Sequence, residues 1–221
     1  MSDHNFVPLD HVRMSEEESA NRSRRFFELC SRRRTVRDYS DAEVPREVIE
    51  NCIRTAGTAP SGAHQQPWHF VAIQDPDVKQ KIRVAAEAEE REFYDNRASD
   101  EWLQALQPFG TNADKPFLKV APWLIAVFCQ RFSVAADGSK IKHYYAVESV
   151  GIATGLLITA IHNAGLCSLT HTPSPMRFLN EILRRPDTER PFVLLAVGYP
   201  GEDVEVPDIQ RKSLREISSW V

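Results

Sequence analysis

Between Thr58 and Trp68 the chain reads Thr-Ala-Pro-Ser-Gly-Ala-His-Gln-Gln-Pro-Trp, small residues held between two prolines with a hydroxyl, an imidazole and two amides among them. Pro60 and Pro67 fix φ and push Ala59 and Gln66 toward extended geometry, while Ser61, Gly62 and Ala63 leave room for close approach to the backbone. Such a loop suits a polar planar ligand read by backbone N–H groups and by Ser61, His64, Gln65 and Gln66. An ordinary helix-to-strand connection uses the same residue types. A second cluster, Arg32-Arg33-Arg34-Thr35-Val36-Arg37, is dense in cations. It either favours a helix C-terminus or holds a phosphate, and an anion would relieve its self-repulsion. Third, Glu90 and Tyr94 stand one helical turn apart, and Lys115 lies between Asp114 and Pro116. These are solvated surface groups by default; facing one another, they could grip a zwitterion.

Much chemistry is absent. The sequence has no G-x-G-x-x-G, Walker-type, G-x-S-x-G or H-E-x-x-H motif, which disfavours classical dinucleotide folds. The four cysteines are widely spaced without a C-x-x-C pair, so free thiols in a reducing cytosol and no metal site are expected. A formal net charge of −4 and a pI near 6.0 do not point to nucleic acid.

The elements that must position these residues alternate between helix and strand. Ser15 with Glu16, Glu17 and Glu18 opens a helix running to about Arg33. A second helix starts at Pro45 and ends near Gly57, with Val48, Ile49, Cys52 and Ile53 on one face. Trp68–Ile73, Trp123–Cys129 and Phe192–Val197 read as strands, Cys167–Thr172 as a shorter one, and Asp75 caps the helix that carries Glu87 through Tyr94. The charge on that helix reads as a solvated face. No Asp, Glu, Lys or Arg occurs from Ser149 to Met176, but the apolar part ends at His162-Asn163 and Gly165, too short for a bilayer, so a buried helix is expected. The domain is expected to be α/β or α+β, and the polar tail from Glu202 to Val221 to lie on another surface, plausibly that of a partner subunit.

Taken together, Arg33-Arg34-Thr35-Val36-Arg37, Thr58 to His64 with Pro67-Trp68, Gly165-Leu166, Thr170-His171-Thr172-Pro173, Val197-Gly-Tyr-Pro200 and Val206 to Lys212 resemble the FMN-dependent nitroreductase superfamily. Within it the pattern is similar to the iodotyrosine deiodinase family, from about residue 25 to 215. The resemblance implies an α/β sandwich with a central, mostly antiparallel sheet flanked by helices. It implies a domain over 25–221 preceded by an extension over 1–24, with a lid over about 87–118 and a swapped tail over about 202–221. FMN is the expected cofactor, held by Arg33, Arg34, Thr35, Arg37, Pro60, Ser61, Gly62, Thr170, His171, Thr172 and Arg211. The Thr172 hydroxyl matches the catalytic donor to flavin N5, which favours single-electron steps over hydride transfer. The substrate set is Ala63, through its backbone N–H to a phenolate oxygen, with Glu90, Tyr94 and Lys115 around the amino acid group. His171 departs from the threonine-rich form of some relatives.

The implied activity is reductive removal of halide from iodo-, bromo- or chlorotyrosine by a homodimer with flavin at the subunit interface. A separate flavin or NAD(P)H-dependent reductase is expected as electron donor. An NAD(P)H-dependent nitro- or quinone reductase, and a non-catalytic flavin or amino acid binding protein, are the alternatives. Animal members carry a membrane anchor; Met1–Arg13 is polar and lacks the pattern of a signal peptide, so a soluble, cytoplasmic, bacterial-type homologue is expected.

Overall fold

The computed structural model describes residues 6–221; Met1–Asn5, part of the expected N-terminal extension, lie outside the described residues. The chain forms two compact units, Met1–Arg33 and Arg34–Val221. The first is built on helix α1 (Glu16–Ser31), whose Ser15 cap accepts the Glu18 N–H at 3.2 Å, as its acidic first turn leads one to expect. The helix buries none of its residues, and Phe26 and Phe27 are exposed.

The second unit holds α2 (Arg46–Gly57), β1 (Trp68–Ile73), α3 (Pro76–Glu92), α4 (Asp100–Leu106), α5 (Phe117–Val120), β2 (Trp123–Gln130), the hairpin β3 (Phe132–Val134) and β4 (Lys140–Lys142), α6 (Ala146–Asn163), β5 (Cys167–His171), α7 (Phe178–Ile182), β6 (Glu189–Gly198) and α8 (Leu214–Ile217). Four strands form one sheet in the order β1-β2-β6-β5, antiparallel at each pairing. The near-continuous apolar runs of β2 and β6 arise because helices cover both faces. Trp123, Ile125, Val127 and Cys129 pack with α2 and α6, whereas Leu124, Ala126 and Phe128 pack with residues of α3, α5 and α7. Asp75 caps α3 by accepting the N–H groups of Asp77 and Val78.

Helix α6 departs from expectation in its reason. Eighteen residues long, it is apolar enough to cross a membrane by length and composition. It packs on the core by one face, on which Val150, Ala153, Leu157 and Ile161 are fully enclosed, whereas Val147 and Ile152 are exposed. Gly165 ends it at φ 78, the left-handed residue expected there.

Candidate functional site

Parallel pairing of Thr35 with Ser168 lays the arginine-rich segment along the outer edge of β5. This places Arg34, Thr35 and Arg37 beside the strand that carries Thr170 and His171. Arg34 is half-buried and donates to the carbonyl of Pro207, which draws the C-terminal segment leading to the exposed Arg211 against the same edge. Burial pushes the Arg37 guanidinium below its ordinary pKa, with the nearby hydroxyls of Tyr94 and Tyr39 acting in the opposite sense. Arg33 belongs to the first unit, where its N–H bonds the Cys30 carbonyl.

From Leu169 onward the strand alternates between buried and exposed positions. Thr170 is exposed and His171 buried, and Thr172, one residue beyond the strand end, is exposed on the rim of a groove of about 670 Å³ that also includes Pro173, Ser174 and Arg177. His171 is 7% exposed and packs edge-on to Phe117, and its Nε2 has no hydrogen-bond partner among the described residues. Burial first, and the positive charge of Lys115 second, push its pKa down to about 3. Its Nδ1 lies 4.0 Å from Glu90 Oε1, an approach that is no ion pair while the ring is neutral. We expect the His171 Cε1–H NMR signal to stay flat between pH 5 and 8; a titration step there would contradict a buried neutral ring. Because the folded pKa lies below the ordinary 6.5, the stability linked to this residue is complete above pH 6.5 and is lost as pH falls toward 3.

Glu90, Tyr94 and Lys115 come together. Lys115 is 3% exposed, and its Nζ lies 3.1 Å from Glu90 Oε2, donates to Thr111 Oγ1 at 3.1 Å and to the Asn112 carbonyl, and sits 5.6 Å from the centre of the Tyr94 ring. Tyr94 Oη donates to the Thr111 carbonyl at 3.3 Å. Tyr94 is not on α3 but on the π-helical turn Phe93–Arg97 that ends it. The expected solvated face fails at Glu87, which is buried, accepts the Lys115 N–H at 2.8 Å and pairs with Arg83 at 2.7 Å. Burial raises the Glu87 pKa, but those hydrogen bonds outweigh it and hold the carboxyl below its ordinary value. Nothing in the local sequence distinguishes Glu87 from its solvated neighbours.

The loop before β1 is built differently from its sequence reading. Ala63, His64 and Gln66 take positive φ values of 50, 55 and 47°, so Gln66 is left-handed although it precedes Pro67. Local bonds outweigh the proline preference: Ser61 Oγ accepts the Gln66 N–H at 2.9 Å, and the Gln66 carbonyl accepts the Trp68 N–H at 2.8 Å. Three strained non-glycine residues in one short loop are characteristic of ligand clamps. Gly62 is required by space, since a Cβ there would lie 2.5 Å from the Tyr144 carbonyl oxygen. Gln65 is occupied by the same neighbour, accepting the Tyr144 N–H at 2.7 Å and donating to the Lys142 carbonyl.

Pro60, Ser61, Gly62 and Ala63 are not gathered with the other candidates. They precede β1, at one edge of the sheet, whereas Thr35 and Thr170 lie at the β5 edge. Three strand spacings, roughly 14 Å, separate these edges within one chain.

The residues at the β5 edge suit an anionic flavin nucleotide. Half-buried guanidinium groups offer forked donors to a phosphate, the threonine hydroxyls supply neutral donors, and His171 Nε2 is a buried polar atom lacking a partner among the described residues.

A family model described as "Nitroreductase family" matches residues 30–199. The iodotyrosine deiodinase of Haliscomenobacter hydrossis is 56% identical over 207 residues, covering 94% of this chain and 93% of its own length. Iodotyrosine deiodinase 1 of Mus musculus is 48% identical over 214 residues, covering 96% of this chain and 74% of its own. Among solved structures, an oxidized iodotyrosine deiodinase bound to FMN and 3-iodo-L-tyrosine matches with a TM-score of 0.74 at 31% identity, over 88% of this chain and 100% of that one. The sheet order, the arginine-rich edge and these likenesses agree that the chain belongs to the nitroreductase family and, within it, to the iodotyrosine deiodinases.

Proposed function

We propose that this protein is an FMN-dependent oxidoreductase that reductively dehalogenates halotyrosines to tyrosine and halide. The observation that carries the reading is the pairing of Glu90 with Lys115 at 3.1 Å beside Tyr94, next to the strand end that bears Thr172. Two opposite charges at that spacing complement the ammonium and carboxylate of an amino acid, each exchanging an internal partner for a ligand one. Arg34, Thr35, Arg37 and Arg211, with Arg33, are the residues we assign to the phosphate side of FMN; Thr170 and His171 line its ring. Bound and reduced, FMN supplies the two electrons that, with a proton, replace the carbon–halogen bond by carbon–hydrogen. The Thr172 hydroxyl donates to flavin N5, and the Ala63 N–H donates to the substrate's phenolate oxygen. Residues 87–118 form the lid, excluding water and aligning the ring with the flavin.

The separation of Pro60–Ala63 from the β5 edge supports a homodimer in which the loop of one protomer completes the site of the other. Exposed Leu214, Ile217 and Trp220 support a tail over 202–221 that lies on the partner. A separate flavin or NAD(P)H-dependent reductase supplies electrons, and the cytoplasm is the compartment we assign.

The test is an anaerobic dithionite titration of the purified protein with and without 3-iodotyrosine, following flavin absorbance and free iodide together. Release of iodide in step with flavin oxidation is expected. A flavin that ignores iodotyrosine yet turns over nitroaromatics with NAD(P)H would replace this reading with that of a general nitroreductase.

A further inference from the structure

Arg97 lies within the lid range but belongs to neither the cofactor set nor the substrate set above, and it joins the lid to the loop that carries Thr172. It ends the π-helical turn Phe93–Arg97, three residues after Tyr94. Its Nη1 donates to the Ser174 carbonyl at 2.6 Å, and its Nη2 donates to the Glu89 carbonyl at 2.8 Å and to Glu89 Oε2 at 3.2 Å. One planar group thus holds the residue before Glu90 and the residue two beyond Thr172. In a continued α-helix, eight positions would set Glu89 and Arg97 about 12 Å apart along the axis. The π turn ends the helix and lets the chain fold back, and such turns are enriched at functional sites.

Thr172 is therefore bracketed. On one side His171 approaches the Glu90 carboxylate, and on the other Ser174 is held by Arg97. A cation that only capped the exposed carbonyls at the end of α3 would need the Glu89 carbonyl alone. The bond to Ser174 is additional, and the planar fork of the guanidinium holds the two carbonyls in a fixed geometry.

We propose that Arg97 is a positioning residue that transmits lid closure on the amino acid group of the substrate to the Thr172 hydroxyl. The inference rests on the reading above, in which Glu90 binds the substrate ammonium and Thr172 faces the flavin. When Glu90 exchanges Lys115 for an ammonium, the end of α3 adjusts with it. The Glu89 carbonyl, one residue away, carries Arg97, and Arg97 carries Ser174.

Hydrogen–deuterium exchange of the FMN-loaded full chain, with and without saturating 3-iodotyrosine, tests this in wild type, Arg97→Ala and Arg97→Lys. In wild type the ligand is expected to slow exchange both in residues 87–118 and in residues 172–177. In Arg97→Ala the lid should still be protected, while residues 172–177 exchange at their ligand-free rate. In parallel, kcat is expected to fall about tenfold with the Kd for 3-iodotyrosine near its wild-type value, as for a misplaced catalytic group. Arg97→Lys, which keeps the charge but not the planar fork, should lose part of the coupling, and it decides the question if Arg97→Ala fails to fold. Full protection of residues 172–177 in the folded variants would overturn the role of Arg97 while leaving the substrate reading intact. Absence of any ligand-dependent protection in wild type would overturn the substrate reading and the coupling with it.

Discussion

Lys115→Ala is expected to raise the Kd for 3-iodotyrosine about a hundredfold, equivalent to about 3 kcal/mol, while the flavin content of the purified protein stays at the wild-type level. The size follows from burial. Lys115 is 3% exposed, and its ammonium is held by Glu90, Thr111 and Asn112, so its position is set before a ligand arrives. A carboxylate brought to this point loses its hydration and gains a fixed cation; without the cation it is left desolvated and unpaired. Loss of Lys115 also frees Glu90 from its internal partner, which favours the ammonium and keeps the effect below that of an isolated buried charge. An analogue lacking the carboxylate, 3-iodotyramine, should therefore bind the variant at least as tightly as the wild type. Titrations by quenching of flavin fluorescence would measure both ligands. A colourless Lys115→Ala protein would instead place this lysine in cofactor binding and sink its assignment to the lid.

Arg34→Ala is expected to have the opposite signature: FMN affinity about a hundredfold weaker, from the loss of charge-assisted hydrogen bonds worth about 1.5–3 kcal/mol each, with the lid pairing of Glu90 and Lys115 untouched. Two consequences of one side chain combine here. The guanidinium provides forked donors beside Thr35, and it also bonds the Pro207 carbonyl, four residues before Arg211. Its removal weakens the phosphate side directly and loosens the segment that presents the second arginine. Arg34→Lys keeps the charge but not the fork, and should fall between the two. Equilibrium dialysis against FMN, read by the fluorescence of free flavin, measures this. An Arg34→Ala protein with wild-type FMN affinity would reduce the residue to a clasp for the tail.

These two side chains were legible from the sequence for different reasons. Arg34 stands in a run of cations whose mutual repulsion calls for an anion, a signal that needs no tertiary context. Lys115, between Asp114 and Pro116, reads by default as an exposed lysine that could pair with a zwitterion, and its place in the family pattern is what favours the second reading. Arg97 and Glu87 were missed altogether, because each looks like one more charge on a charged helix. Their partners, the Ser174 carbonyl and the Lys115 N–H, lie 77 and 28 positions away.

The sequence by itself determined the local features: the caps at Ser15 and Asp75, the left-handed stop at Gly165, and the two central strands of the sheet, β2 and β6, as near-continuous apolar runs. These depend on interactions within a few residues or on a period of two, so they survive without knowledge of the fold. Tertiary structure alone decided that Glu87, Lys115 and His171 are buried, and that Gln66 is left-handed despite the proline after it. It also decided that the Pro60–Ala63 loop and the arginine-rich segment occupy opposite edges of one sheet. Burial of a charge depends on which distant groups arrive to pair with it, and the order of strands depends on pairings between segments far apart in the chain.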